Sequence, residues 1–71
     1  MRIYTWLGRF MVEMERRIIE KDRDGWRGWD TIAEKALKDR LINNAKRGDW
    51  IDVANLAMML WVRKQKGAEK Q

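Results

Sequence analysis

The chain of 71 residues contains no cysteine, no histidine and no proline. The absence of cysteine excludes disulfides, and the absence of both cysteine and histidine excludes the usual zinc sites and catalysis by a thiol or an imidazole. A chain this short buries only about 60% of its unfolded surface, so a lone core is marginally stable without cross-links. Helix packing or association with another subunit must therefore supply the stability.

The sequence also has no apolar run long enough to span a membrane. The longest one, residues 53–62, includes Asn55 and is far short of the roughly 20 residues that a membrane span needs. The apolar beginning of the chain is interrupted by Arg9, and residues 13–17 continue the same helical pattern with charged side chains, so it does not resemble a signal peptide. We therefore expect a cytoplasmic protein without a membrane partner.

Positive charge is in excess, with 16 Lys and Arg against 11 Asp and Glu. Much of this charge is paired at i,i+4, and the unpaired cations collect near the C-terminal ends of predicted helices, where the helix dipole favours them. Helix electrostatics therefore explain most of the basicity. Nucleic-acid binding through these clusters stays an alternative.

Apolar periodicity predicts a single all-α domain over residues 1–71. Helices are expected at about residues 3–21, 31–46 and 50–63, followed by a polar tail over residues 67–71. The apolar face of the first helix consists of Ile3, Leu7, Phe10, Met14 and Ile18. The expected architecture is a compact three-helix unit that assembles into a helical homodimer.

Local signals mark the ends of the second and third helices. Thr31 with Glu34 three residues later is typical of a capping box, which would begin the second helix. Gly48 is expected to end that helix, because glycine readily adopts the left-handed conformation found there. Asp49 is expected to cap the third helix immediately afterwards.

The third helix is apolar on nearly every side, since only Asp52 and Asn55 interrupt the run from Trp50 to Val62. Two short neighbouring helices cannot cover such a helix completely, so we expect a second subunit against it, in a two-fold dimer. The two polar residues need partners, either across the dimer axis or around a pocket. The expected interface residues are Trp50, Val53, Leu56, Ala57, Leu60 and Trp61.

Two of the five tryptophans lie in the loop Gly25-Trp-Arg-Gly-Trp29. Tryptophan and arginine are common anchors of protein interfaces, but loop tryptophans can also cover the open end of a thin core. Packing is favoured for Trp29, which precedes a helix, whereas both roles stay open for Trp26. The expected partner-binding residues are Arg23, Trp26, Arg27 and Trp29, with Lys46 and Arg47 as a second cluster.

Asp49 and Asp52 have a spacing that can hold a divalent cation, although helix capping explains Asp49 better. The segment Gly48-Asp-Trp-Ile-Asp-Val-Ala-Asn-Leu-Ala-Met-Met-Leu-Trp61 resembles the box around the last metal-binding helix of MazG-like, all-α nucleoside triphosphate pyrophosphohydrolases, especially short bacteriophage-encoded members. In that family an acidic pair precedes a Val-Ala-Asn-aromatic-Ala-Met-Met run. The resemblance therefore places Asp49 and Asp52 at a magnesium-binding pair.

The chain departs from this family at its first acidic motif, Glu-Glu-x-x-Glu. The corresponding segment is Glu34-Lys-Ala-Leu-Lys-Asp-Arg-Leu-Ile-Asn43, in which lysines stand where magnesium ligands would be. Positive charge beside a divalent site opposes cation binding. The resemblance thus implies a retained helical scaffold that has lost its metal chemistry, and fold alone does not determine function.

Taken with the resemblance, the sequence predicts a small non-catalytic binding protein, phage-encoded and without a cofactor. It would act in the bacterial host cytoplasm by contact with a host protein or ribonucleoprotein complex, for example as an inhibitor of host defence such as an anti-CRISPR protein. One alternative is a nucleotide pyrophosphohydrolase that uses magnesium at Asp49 and Asp52. Another is a small basic nucleic-acid-binding protein.

Overall fold

The computed structural model describes residues 2–69. These residues form three α-helices and no strand: α1 over Ile3–Arg23, α2 over Glu34–Arg47 and α3 over Trp50–Glu69. Helix α3 packs against both of the others and is the centre of the fold. The predicted all-α, three-helix architecture is confirmed, whereas the homodimer stays a prediction.

Helix α2 begins three residues later than predicted, because Thr31 belongs to the preceding turn. Its hydroxyl donates a hydrogen bond to the carbonyl of Gly28 at 3.2 Å, and its backbone N–H bonds the same carbonyl. Gly28 makes this turn with a φ of +89°, a conformation that glycine adopts without strain. The N-cap of α2 is Ala33, which offers no side-chain cap, so the predicted capping box of Thr31 and Glu34 is wrong.

Helix α3 begins as predicted and extends further. The carboxylate of Asp49 accepts a hydrogen bond from the backbone N–H of Asp52 at 3.2 Å, which is the expected N-terminal cap. The helix does not end near residue 63 but continues to Glu69, so residues 67–69 of the predicted tail are helical. Residues 63–66 are good helix formers, which favours this extension. The last two residues of the predicted tail lie outside the described part.

The core is small and lies between α2, α3 and the loop that precedes α2. Leu37, Leu56 and Met59 are its buried apolar residues. The partly buried residues packed against them are Trp26, Trp29, Ile32, Leu41 and Leu60. Leu56 is therefore covered within the chain and is not available to a second subunit, which corrects its predicted place in a dimer interface. Leu60 also packs against this core, because α2 contacts the side of α3 on which Leu56 and Leu60 lie.

Candidate functional site

Both loop tryptophans are half-buried and pack against the core. The ring of Trp26 lies 5.6 Å from the ammonium of Lys21 and 6.0 Å from the guanidinium carbon of Arg40. Trp29 is held by Arg63, whose guanidinium donates to the Trp29 carbonyl at 3.3 Å. These contacts support the packing role for both tryptophans, so the loop offers less recognition surface than its sequence suggested.

The predicted basic residues are exposed, and two of them have partners within the chain. Arg27 pairs with the carboxylate of Asp22 and also donates to the Asp22 carbonyl at 3.2 Å. Arg47 donates to the side-chain oxygen of Asn44 at the end of α2. Both arginines are therefore engaged by residues close to them in the sequence.

The acidic pair at the start of α3 is occupied by an arginine from α1. One guanidinium nitrogen of Arg17 lies 3.0 Å from a carboxylate oxygen of Asp49 and 3.0 Å from one of Asp52. The ammonium of Lys21 lies 3.5 Å from the other oxygen of Asp52. A hydrogen bond from the backbone N–H of Asp52, helped by Arg17, lowers the pKa of the Asp49 carboxyl.

This arrangement opposes the metal-site interpretation. The Arg17 guanidinium lies between the two carboxylates, where a divalent cation would have to bind, and it already supplies the neutralising charge. Over the residues that the structure describes, no three potential ligands come together as a metal site would require. Sequence reasoning missed Arg17 because the residue is distant in the chain and shows no local motif.

The lowered pKa of Asp49 predicts a specific acid sensitivity. Because the folded-state pKa lies below the ordinary value of 3.8, the stabilisation is complete above that value and is lost as the pH falls through the folded-state pKa. Asp49→Asn retains a good N-cap but cannot ionise. We expect the unfolding free energy of this variant to depend less on pH between roughly pH 5 and pH 2 than that of the wild type, as measured by urea denaturation. Equal pH slopes for the two proteins would contradict the assignment.

Asn55 joins α3 to α1 and borders a cavity. Its side-chain nitrogen donates to the backbone carbonyl of Met14 at 3.1 Å, while its side-chain oxygen is buried without a partner among the described residues. The adjacent cavity has a volume of about 50 Å³. Polar side chains that line it include Lys21, Arg40, Asn44 and Asp52. Asn55 thus both bonds across helices and borders a pocket, and a cavity of this size and polarity suits an ordered water.

Most of the large apolar side chains that are exposed in the described part of the chain lie on the N-terminal half of α1, residues 3–12. Every side chain in this segment is exposed except that of Phe10, which is half-buried, and Ile3 is 74% exposed. The large apolar side chains left exposed here are Ile3, Tyr4, Trp6, Leu7, Met11 and Val12. By contrast, the second half of α1 is held on α3 through Met14, Arg17 and Lys21.

The apolar periodicity of the first helix includes Ile3, Leu7 and Phe10 of this surface, and the structure shows that the other helices do not cover Ile3 and Leu7. Comparison of the chain with protein families, curated proteins and solved structures gave no match. The MazG-like relationship therefore stays a prediction from the sequence, and function has to be argued from the chain's own surfaces. No helix in the described part combines the length and the apolarity needed to cross a bilayer.

Proposed function

We propose that this chain is a small non-catalytic binding protein that recognises a partner protein through the N-terminal half of α1. The observation that supports this most directly is the exposure of its apolar and aromatic side chains. Contiguous apolar surface of this kind is uncommon on monomeric proteins and typically marks an interaction site. Burying a single leucine or isoleucine side chain stabilises a complex by roughly 1.5–3 kcal/mol, so several such residues suffice for specific binding.

The spacing of these residues fits insertion of a helix into a groove. Ile3, Leu7 and Phe10 follow one another at intervals of four and three residues, so they project from one face, with Tyr4 and Met11 beside them. Peptide helices that dock in apolar grooves use anchors at the same i, i+3, i+4 and i+7 positions. Aromatic anchors also contribute a large contact area at low conformational cost.

Charge indicates what kind of groove would accept this helix. Residues 2–12 include Arg2 and Arg9 but no acidic residue. A partner groove with apolar walls and an acidic rim is therefore the best complement. A protein is favoured over nucleic acid as the partner. Binding to nucleic acid depends on several contacts between cations and phosphates. In this chain, the cations Arg17, Lys21 and Arg63 are already engaged by other residues of the chain.

The biological setting comes from the sequence alone. We propose a host protein or ribonucleoprotein complex in the bacterial cytoplasm as the partner, and a phage-encoded inhibitor of host defence as one role consistent with contact-based action. The pyrophosphohydrolase alternative has less support, since Arg17 occupies the acidic pair. Release of pyrophosphate from a deoxynucleotide by the purified protein with magnesium would contradict the non-catalytic proposal.

A matched pair of charge substitutions tests the proposed surface. Leu7 on α1 and Ile42 on α2 are 55% and 50% exposed, and only Leu7 belongs to the proposed surface. We expect Leu7→Glu to reduce capture of the partner from bacterial lysate roughly tenfold or more, because it buries a charge in an apolar interface. Ile42→Glu adds the same charge at similar exposure outside this surface and should capture the partner as the wild type does.

Several outcomes would reject this proposal. Equal capture by Leu7→Glu and the wild type would show that the N-terminal half of α1 is not the binding surface. Loss of all captured material after nuclease treatment, with binding that weakens steeply as salt rises, would instead favour the nucleic-acid alternative. Circular dichroism of both variants should show wild-type helicity, since neither residue is part of the core.

A further inference from the structure

Helix α3 has an outer apolar stripe that neither α1 nor α2 covers. Trp50 and Trp61 are 61% and 62% exposed, Ala57 is exposed and Ala54 is half-buried. These four residues are separated by four, three and four positions, so they lie in a nearly straight line along the helix. We call them the α3 outer stripe. Of the dimer residues that the sequence predicted, only Trp50, Ala57 and Trp61 belong to it.

We infer that the α3 outer stripe binds a second copy of this chain, with the two α3 helices antiparallel about a two-fold axis near residues 55 and 56. This stripe is complementary to itself when reversed. Trp50 would face Trp61 of the second copy, and Ala54 would face its Ala57. Small residues at the centre allow the helix backbones to approach closely, while the tryptophans cover both ends of the contact.

The charge distribution favours a second copy at this place. Asp52 is the only charged residue from position 50 to position 61, and its carboxylate is turned inwards to Arg17 and Lys21. No charged side chain between positions 50 and 61 therefore has to lose water when two stripes meet, and interface cores are depleted of charge in the same way. The N-terminal half of α1 differs, because Arg2 and Arg9 would repel the same residues of a copy.

The exposed area of the chain also fits a dimer. Its accessible surface is 5861 Å² at a mass of 8.6 kDa. Monomeric proteins of this mass expose about 4,700 Å², so this chain exposes roughly 1,200 Å² more than expected. A standard interface buries about 800 Å² on each partner, which the surplus supplies.

Molar mass in solution tests the inference. Light scattering after size exclusion should give twice the chain mass of 8.6 kDa for the wild type. Ala57→Arg should shift the protein to monomer, since it places two charges near the two-fold axis, while arginine keeps a high helix propensity. Ile42→Arg, which adds the same charge on the exposed side of α2, should remain dimeric. A monomeric wild type, or a dimeric Ala57→Arg, would overturn the inference.

Cysteine cross-linking determines the orientation, because the chain has no cysteine of its own. Under mild oxidation Ala57→Cys should form a covalent dimer, since the two residues lie close to the axis. Lys64→Cys should not, because an antiparallel pair places the two positions about 25 Å apart along the helices. Cross-linking of both variants would indicate parallel helices, and cross-linking of neither would exclude the stripe as the interface.

The dimer and the proposed function can fail separately. Leu7 lies outside the α3 outer stripe. The Leu7→Glu variant should therefore have the molar mass of the wild type even if it no longer captures the partner. Conversely, the monomeric Ala57→Arg variant should still capture the partner through α1. On a surface that carries many partner molecules it should be retained more weakly than the wild type, because only the wild-type dimer binds with two linked α1 helices and so gains avidity.

Discussion

Replacement of Leu37 by alanine is expected to lower the free energy of unfolding by about 3 kcal/mol. Leu37 is 0% exposed and is the most completely buried side chain of the core. Truncating a leucine in such a site removes its transfer free energy and leaves a cavity, which together cost roughly 2–5 kcal/mol. A domain of this size has a total stability of only about 4–10 kcal/mol, so this single change removes a large part of it.

Ile42→Ala provides the matched control, because Ile42 lies on the same helix and is half exposed. It should change the unfolding free energy by less than about 1 kcal/mol. Thermal denaturation followed by circular dichroism should show Leu37→Ala melting about 15 °C below the wild type. All proteins have to be compared at one concentration, since dimerisation makes the melting temperature depend on it. Similar losses for both variants would contradict the assigned core.

Replacement of Arg17 by methionine is expected to cost about 2 kcal/mol of stability. The change leaves Asp49 and Asp52 as adjacent negative charges. Asp52 is buried, and within the described residues its remaining ion pair is with Lys21 at the longer distance of 3.5 Å. A buried carboxylate that loses its closer cation costs more than the ordinary loss of a hydrogen bond. Methionine retains most of the aliphatic packing, so the effect reports on the charge.

The neighbouring residue Arg16 gives the control for this substitution. Its guanidinium is exposed and, among the described residues, pairs with Glu13 of the same helix at 3.3 Å, so Arg16→Met should cost less than about 0.5 kcal/mol. Urea denaturation of both variants measures the difference. Equal losses would show that the Arg17 cluster is not a structural link. Recovery of Arg17→Met stability on addition of magnesium would instead revive the metal-site alternative.

The ends of the helices show how far local sequence signals go. Gly48 ends α2 with a φ of +75°, and Asp49 caps α3, as the sequence predicts. These features depend on residues within one turn of each other, so they can be inferred without knowing the fold. Thr31 was misassigned because a hydroxyl can bond either a helix N–H or a turn carbonyl, and Gly28 provides the turn.

The candidate site was harder to predict than the fold. Composition drew attention to Trp26 in the glycine-rich loop, yet its ring packs on the core, while Leu7 in an ordinary amphipathic helix is exposed. Arg17 shows the same difficulty, because the two carboxylates that it binds lie 32 and 35 positions further along the chain. Periodicity identifies which residues share a face but does not show which neighbour covers that face.

The order of residues along the chain is enough to predict that the protein is helical, that Gly48 ends α2 and Asp49 caps α3, and that cysteine and histidine chemistry is absent. Tertiary structure alone decided which apolar residues are covered. Leu37 and Leu7 both lie on the apolar face of a helix. Helix α3 contacts α1 near Met14, so the beginning of α1, including Leu7, stays uncovered. Helix α2 packs against α3 beside Leu56, so Leu37 is buried. The physical reason is that burial depends on contacts between distant segments, whereas helix formation and capping depend on neighbours in the chain.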